Sequence, residues 1–112
     1  GGLLTGKYAK GETGRLTDDT RYQARYDQSW MHETAAQLAA LGAELGVDPA
    51  TLAVAWAAKH PVEPLPIISA RSVDQLRPSL LAEEFEMTTA LYDQITALSK
   101  APAPATDRLE EV

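Results

Sequence analysis

The feature that most constrains the fold of this sequence is a short apolar run set among prolines. The run is Leu65–Ser69. Pro61, Pro64 and Pro66 exclude a helix here, because proline lacks a backbone N–H and clashes with the preceding turn. Such a run predicts a β-strand buried on both faces, as in a parallel sheet. One strand cannot pair its own backbone donors and acceptors, so we expect its partners to lie outside these 112 residues.

Four main helices are predicted around this strand, because apolar residues recur at helical spacing. They cover about residues 30–45, 49–59 and 89–99, and the third in chain order opens after Ser72. The second is apolar nearly all round and should therefore be buried. The third should present Val73, Leu76 and Leu80 on one face. The end signals are a Ser29 cap, a Gly46 stop, an Asp48 cap before Pro49 and a capping box from Ser72 to Gln75.

Composition excludes several classes of protein. The formal net charge of −6 opposes binding to nucleic acid or to an anionic membrane. No apolar run approaches the roughly 20 residues of a transmembrane helix, and the first residues do not form a signal peptide. The absence of cysteine excludes disulfides and thiolate metal sites. His32 and His60 are distant from each other and lie in no cluster of ligands, so we predict no metal site.

Four segments, in order along the chain, resemble the aldo-keto reductase family, whose TIM barrels use NADP(H) to reduce aldehydes and ketones. Gly1–Tyr8 (GGLLTGKY) is similar to the loop after the seventh barrel strand. Ile67–Leu76 (IISARSVDQL) is similar to the eighth strand and the start of the following helix. The other two are Asp48–Trp56 (DPATLAVAW), similar to the helix before strand eight, and Pro104–Arg108 (PATDR), similar to bacterial tails.

The resemblance implies an α/β fold class. Residues 1–112 would form the C-terminal portion of a TIM (β/α)8 barrel, mostly helical with one short strand. Residues 1–28 would be a long, polar cofactor loop, 29–100 the helices and the last barrel strand, and 101–112 an extended or disordered tail. A complete barrel takes roughly 250 residues, so the first six strands would lie upstream.

The segment around the start of the third helix is the first predicted cofactor site. A helix N-terminus presents free N–H groups and a partial positive charge, and arginine offers a fork of donors suited to phosphate. From the local pattern alone, the segment is also a plain strand, turn and helix cap. The resemblance implies that Ser69, Arg71 and Gln75 hold the 2′-phosphate end of NADP(H). Ser69 stands where the family usually has glycine.

The first loop is the second predicted cofactor site. Taken alone, it is a flexible loop with a solvated lysine. The resemblance implies that the backbone around Leu3 and the ammonium of Lys7 contact the pyrophosphate, and that Arg15 closes over the cofactor. Ser79 would contact the adenine, but it stands where the family commonly has asparagine. The preceding Pro78 stands where the family often has an acid, so the adenine contacts depart from the family pattern.

The catalytic residues are expected elsewhere. The resemblance implies a tyrosine general acid, its lysine and aspartate partners and a histidine, all on earlier strands. None of the tyrosines and histidines here has that context, and Trp56 is predicted to be a core residue. We therefore expect hydride transfer with a small carbonyl substrate from the intact cytoplasmic enzyme, and none from this chain alone.

Two alternative functions remain open from the sequence. One is a non-catalytic NADP(H)-binding regulator of the same family, similar to the potassium-channel β subunits. An intact upstream set of aspartate, tyrosine, lysine and histidine would favour the enzyme over this regulator. The other is an independent helical interaction domain, but the lone predicted strand argues against it.

Overall fold

The described part of the chain, residues 1–101 of a computed structural model, is helical. Its α-helices are α1 (Arg15–Asp18), α2 (Thr20–Tyr26), α3 (Ser29–Leu45), α4 (Pro49–Ala58), α5 (Val73–Leu80) and α6 (Thr89–Thr96). Single 3₁₀ turns occur at Leu3–Thr5, Tyr8–Lys10 and Leu81–Glu83. The predicted tail lies outside the described residues, except for Ala101. No single helix in residues 1–101 is long and apolar enough to cross a membrane; α3 and α4 pass that test only as a pair bent by 102°.

The predicted strand at Leu65–Ser69 is wrong for this structure. The segment is irregular, and the part of the chain that the structure describes contains no β-strand. Leu65 is 92% exposed and Ile67 is 101% exposed, so the apolar side chains face solvent. A strand exists only when another strand pairs with its backbone, and residues 1–101 supply no such partner. The mostly helical character of the chain is confirmed.

The helix ends around the α3–α4 turn form largely as predicted. Gly46 ends α3 in the left-handed conformation (φ 66°), where a Cβ would be strained. The carboxylate of Asp48 accepts a hydrogen bond from the Ala50 N–H at 2.8 Å, and Pro49 occupies the first helical position. The Ser29 cap is wrong: Gln28 occupies the N-cap position, and Ser29 is already helical. No side chain caps this end of α3, and the helix begins at Ser29, one residue before the predicted start at residue 30.

The core lies between α3, α4 and α6. Its buried side chains are Leu38, Leu41, Leu52, Ala55, Met87 and Ile95. Trp56 packs against this cluster, stacks on Tyr92 with ring centroids 5.9 Å apart, and donates its indole N–H to Thr96 Oγ1 at 2.9 Å. The predicted core role of Trp56 is therefore confirmed. The burial predicted for all of α4 holds for only one face, because nothing in residues 1–101 fully covers the other.

Helix α5 is attached to α4 by a polar contact rather than by the predicted apolar face. Val73 is 71% exposed and Leu80 is 54% exposed, so the predicted face is largely uncovered. The buried Thr51 instead donates its hydroxyl to the Pro78 carbonyl at 2.6 Å. This bond fixes the N-terminal half of α4 beside the end of α5.

The prediction of a continuous loop over residues 1–28 is wrong in its local structure. The segment contains two 3₁₀ turns and the helices α1 and α2, which are too short to show a sequence period. The Tyr8 hydroxyl donates to the Gly1 carbonyl at 2.7 Å and accepts from the Leu16 N–H at 3.1 Å. Leu16 is buried, and Asp19 caps α2 through the N–H groups of its first turn. These contacts give the segment a defined fold.

A first prediction concerns Gly42, which lies where α3 passes closest to the α3–α4 turn. A Cβ here would stand 2.5 Å from the Val47 carbonyl oxygen. That backbone is held in place, because the Val47 N–H bonds to the Gly42 carbonyl at 2.8 Å. Helix propensity alone favours Gly42→Ala by about 1 kcal/mol. We expect the clash to dominate and to lower the free energy of unfolding by about 1–3 kcal/mol in urea denaturation.

The control is Ala40→Gly, at an exposed position of the same helix, which measures helix propensity without a contact. It should cost about 1 kcal/mol. A Gly42→Ala variant that is more stable than the wild type would contradict the predicted clash.

Candidate functional site

A cleft of about 330 Å³ lies between the first loop and the N-terminal ends of α4 and α5. Four of the predicted cofactor residues line it together: Lys7, Ser69, Gln75 and Ser79. The other lining residues are Gly2, Thr5, Lys10, Glu12, Asp48, Ala50, Ala70 and Pro78. A larger groove of about 690 Å³ runs beside α3, but alanines and glycines dominate its wall. We take the smaller cleft as the candidate site, because it gathers the charged and hydrogen-bonding side chains.

The start of α5 forms one wall of the cleft. The Ser72 hydroxyl accepts a hydrogen bond from the Gln75 N–H at 3.2 Å, so the predicted cap is confirmed. The Gln75 side chain reaches back to the Arg71 N–H at 3.1 Å, one residue before the position that a capping box requires. Its carbonyl oxygen is thereby occupied, and its amide NH₂ group remains a donor for a ligand.

Arg71 does not line the cleft, although Ser69 and Ala70 just before it do. Its side chain is exposed and forms no ion pair within residues 1–101. Its long side chain directly follows Ala70 of the cleft wall, so it lies beside the cleft. The assignment of Arg71 to the 2′-phosphate stays a prediction.

Lys7 is held at the cleft by its own loop. Its ammonium donates to the Thr13 carbonyl at 3.1 Å and lies 4.9 Å from the centre of the Tyr8 ring. A Cβ at Gly14 would come within 2.2 Å of the Lys7 Nζ atom, so a larger residue there would displace the ammonium from its present position. A lysine ammonium has three donors, and the Thr13 carbonyl is the hydrogen-bond partner found within residues 1–101. The remaining donors are available to an anion.

Leu3 and Arg15 lie outside the cleft. Leu3 lines the groove beside α3, and Arg15 donates from Nη1 to the Tyr22 hydroxyl at 3.0 Å while stacking over that ring. Burial, and then the charges of Arg15 and Lys7, lower the pKa of the Gly1 ammonium. The two cations therefore lie close enough to the Gly1 ammonium to disfavour its charged form. The structure brings Lys7, but not Leu3 or Arg15, together with the α5 residues.

Three charged residues of the cleft were not predicted to bind a ligand. Lys10 and Glu12 follow Lys7 in the same loop, and Asp48 was predicted only as a helix cap. Lys10 lies three residues after Lys7, a spacing that could have suggested a second cation on the same side of a helical turn. No local pattern indicates that Asp48 faces α5, because that depends on the packing of α4 against α5.

The histidines form local contacts. His32 Nε2 lies 2.6 Å from the Asp27 Oδ1 atom, at the junction of α2 and α3, and both side chains are about half exposed. His60 accepts from the Val62 N–H through Nδ1 at 3.3 Å. Within residues 1–101 no group of three or more acidic, histidine or cysteine side chains is arranged to hold a metal ion.

Comparison with known proteins identifies the family. A sequence model of the Aldo/keto reductase family matches residues 1–100. The chain is also 33% identical over 107 residues to a Bacillus subtilis (strain 168) protein named "Uncharacterized oxidoreductase YrpG". That alignment covers 95% of this chain and 31% of the relative, so the chain spans about a third of that protein's length. No solved structure matches the chain. The chain belongs to the aldo/keto reductase family, as its four segments predicted.

Proposed function

We propose that this chain is the cofactor-binding, C-terminal part of an NADP(H)-dependent aldo-keto reductase. The intact protein would transfer hydride between NADPH and an aldehyde or ketone. The observation that carries this proposal is the cleft in which Lys7 meets Ser69 and Gln75. The two segments are far apart in the sequence, and the resemblance assigns each of them to the cofactor.

The residues of the cleft fit one end of a phosphorylated dinucleotide. Lys7 and Lys10 supply positive charge, and Ser69 and Gln75 supply neutral hydrogen-bonding groups. The first N–H groups of α5 add a partial positive charge at the same wall. A volume of about 330 Å³ is near the lower end of the range for ligand pockets. The cleft therefore suits the adenosine and phosphate end rather than the whole cofactor.

The chemistry would come from the cofactor and the upstream part of the protein. When bound, NADPH supplies a hydride to the carbonyl carbon, the carbonyl oxygen takes up a proton, and an alcohol and NADP⁺ result. The role of this chain is to bind and orient. Lys7 neutralises phosphate charge, while the Ser69 hydroxyl and the Gln75 amide fix the position of the phosphate end by hydrogen bonds.

A second prediction tests the cofactor assignment in the full-length protein. Arg71 would contact the 2′-phosphate, which NADPH carries and NADH lacks. A charge-assisted contact is worth about 1.5–3 kcal/mol, so Arg71→Ala should weaken NADPH binding by roughly ten- to a hundredfold. NADH binding should change much less. Fluorescence titration gives both dissociation constants, and the loss should shrink at high salt because screening weakens an exposed charge pair.

The matched control is Arg77→Ala. Arg77 lies on the same helix, is exposed, and pairs weakly with Asp74 at 3.9 Å outside the cleft. Its removal should leave the affinity for both cofactors nearly unchanged. Equal losses of NADPH and NADH affinity in Arg71→Ala would show that this residue supports the fold or the pyrophosphate, and not the 2′-phosphate.

A further inference from the structure

The cleft has a second wall, which faces α5 from the start of α4. Asp48 and Ala50 line it opposite Pro78 and Ser79. The bond from the Thr51 hydroxyl to the Pro78 carbonyl, at 2.6 Å, joins the two helices directly behind this part of the cleft. The separation of the two walls is therefore fixed by a buried contact.

The end of the α5 wall at Pro78 and Ser79, beyond Gln75, offers little to recognise the edge of a nucleotide base. Pro78 has no polar side-chain group, and Ser79 has a single hydroxyl. The small apolar side chains of Ala50, Ala70 and Pro78 can instead contact the faces of a flat ring. Lys7 lies on the first loop, where its ammonium donates to the Thr13 carbonyl of that loop at 3.1 Å. We assign the lysine side of the cleft to phosphate and the side between α4 and α5 to the base.

Asp48 is the acceptor available at the base side. One carboxylate oxygen, Oδ1, accepts from the Ala50 N–H at 2.8 Å, and this bond orients the side chain. The other oxygen, Oδ2, has no hydrogen-bond partner within residues 1–101, and the residue as a whole is exposed. A carboxylate only accepts hydrogen bonds, so its complement on a purine is an exocyclic amino group.

We propose that the Asp48 carboxylate recognises the 6-amino group of the adenine in the bound cofactor. Base recognition would then lie at the N-cap of α4, on the wall opposite Pro78 and Ser79. This inference rests on the proposed function, because it requires that the cleft binds the adenosine end of NADP(H).

The test compares two ligands on the full-length protein, NADPH and its hypoxanthine analogue, in which an oxygen replaces the 6-amino group. The wild type should bind NADPH roughly three- to tenfold more tightly than the analogue. In Asp48→Ser the hydroxyl still caps α4 but the second acceptor is lost, so the preference should fall to about one. In Asp48→Asn the oxygen can cap while the amide NH₂ faces the cleft, so the preference should reverse toward the analogue.

The readout is the ratio of two dissociation constants from one preparation, so any loss of folded protein cancels. Glu12→Gln is the matched control, because Glu12 is the other carboxylate of the cleft and its N–H bonds to the Lys7 carbonyl at 3.1 Å. The ratio should be unchanged in this variant. An unchanged ratio in both Asp48 variants, or a ratio that moves in Glu12→Gln instead, would overturn the assignment to Asp48. Failure of the wild type to bind NADPH at all would overturn the proposed function itself.

Discussion

Leu52→Ala is expected to lower the free energy of unfolding by about 2–5 kcal/mol, because it removes the most deeply buried side chain of the core. Leu52 is 0% exposed and belongs to the same buried cluster as Leu38, Leu41 and Ile95. The loss combines the transfer of the removed methyl groups to water with the cavity that remains. Urea denaturation, followed by circular dichroism, would measure it.

The matched control is Leu45→Ala, the same chemical change at the end of α3. Leu45 is 47% exposed, so its removal takes little apolar surface out of the core. We expect a cost below about 1 kcal/mol, in line with partly exposed positions. A similar cost for both variants would mean that the cluster around Leu52 is not the core of the folded chain.

The parts of the fold that could be predicted from the sequence are those with local causes. Gly46 ends α3 and Asp48 caps α4 because each conformation depends on the residue itself and on the few N–H groups beside it. The helix predicted over about residues 89–99 also forms, and it places Ile95 in the core with Leu91 packed against it. A helix needs no distant partner for its backbone, so local patterns suffice to find it.

The parts that could not be predicted depend on distant partners. Leu65–Ser69 has the composition of a buried strand, but composition cannot provide the neighbouring strands that would pair with it. The predicted burial of the apolar face of α5 was wrong for the same reason. Val73 and Leu80 match a buried pattern, yet nothing in residues 1–101 covers them. Both errors concern apolar groups whose burial needs more polypeptide than the structure describes.

The residues of the candidate site also differ in whether the sequence could assign them. Lys7, Ser69 and Gln75 were assigned through the resemblance, and the fold places them in one cleft. The position of Asp48 across from Pro78 follows from the packing of α4 on α5, which the Thr51 hydroxyl fixes. No sequence spacing reports that contact, because the two helices are joined by an irregular segment. The position of Asp48 in the cleft therefore depends on tertiary structure.

Ile67→Ala should lower the free energy of unfolding very little in this chain but strongly in the full-length protein. In the isolated chain Ile67 is 101% exposed, so its removal should change the free energy of unfolding by less than about 0.5 kcal/mol. In the full-length protein we expect the segment to pair as the last barrel strand and to bury this side chain. The same substitution should then cost about 2–5 kcal/mol. Urea denaturation of both proteins would measure the difference.

Leu52→Ala serves as the internal reference, because its cost should be large in both proteins. A small cost for Ile67→Ala in the full-length protein would show that Leu65–Ser69 is not a barrel strand.

The exposed apolar side chains of Val62, Leu65 and Ile67 predict that the isolated chain associates as its concentration rises, since apolar patches and unpaired backbone favour contact between chains. Sedimentation over a range of concentrations should detect that association, and Ile67→Ala should weaken it. A cost for Ile67→Ala that grows with the concentration of the isolated chain would therefore report burial between copies. A cost well above about 0.5 kcal/mol that does not change with concentration would place the side chain inside the folded monomer and contradict its exposed position.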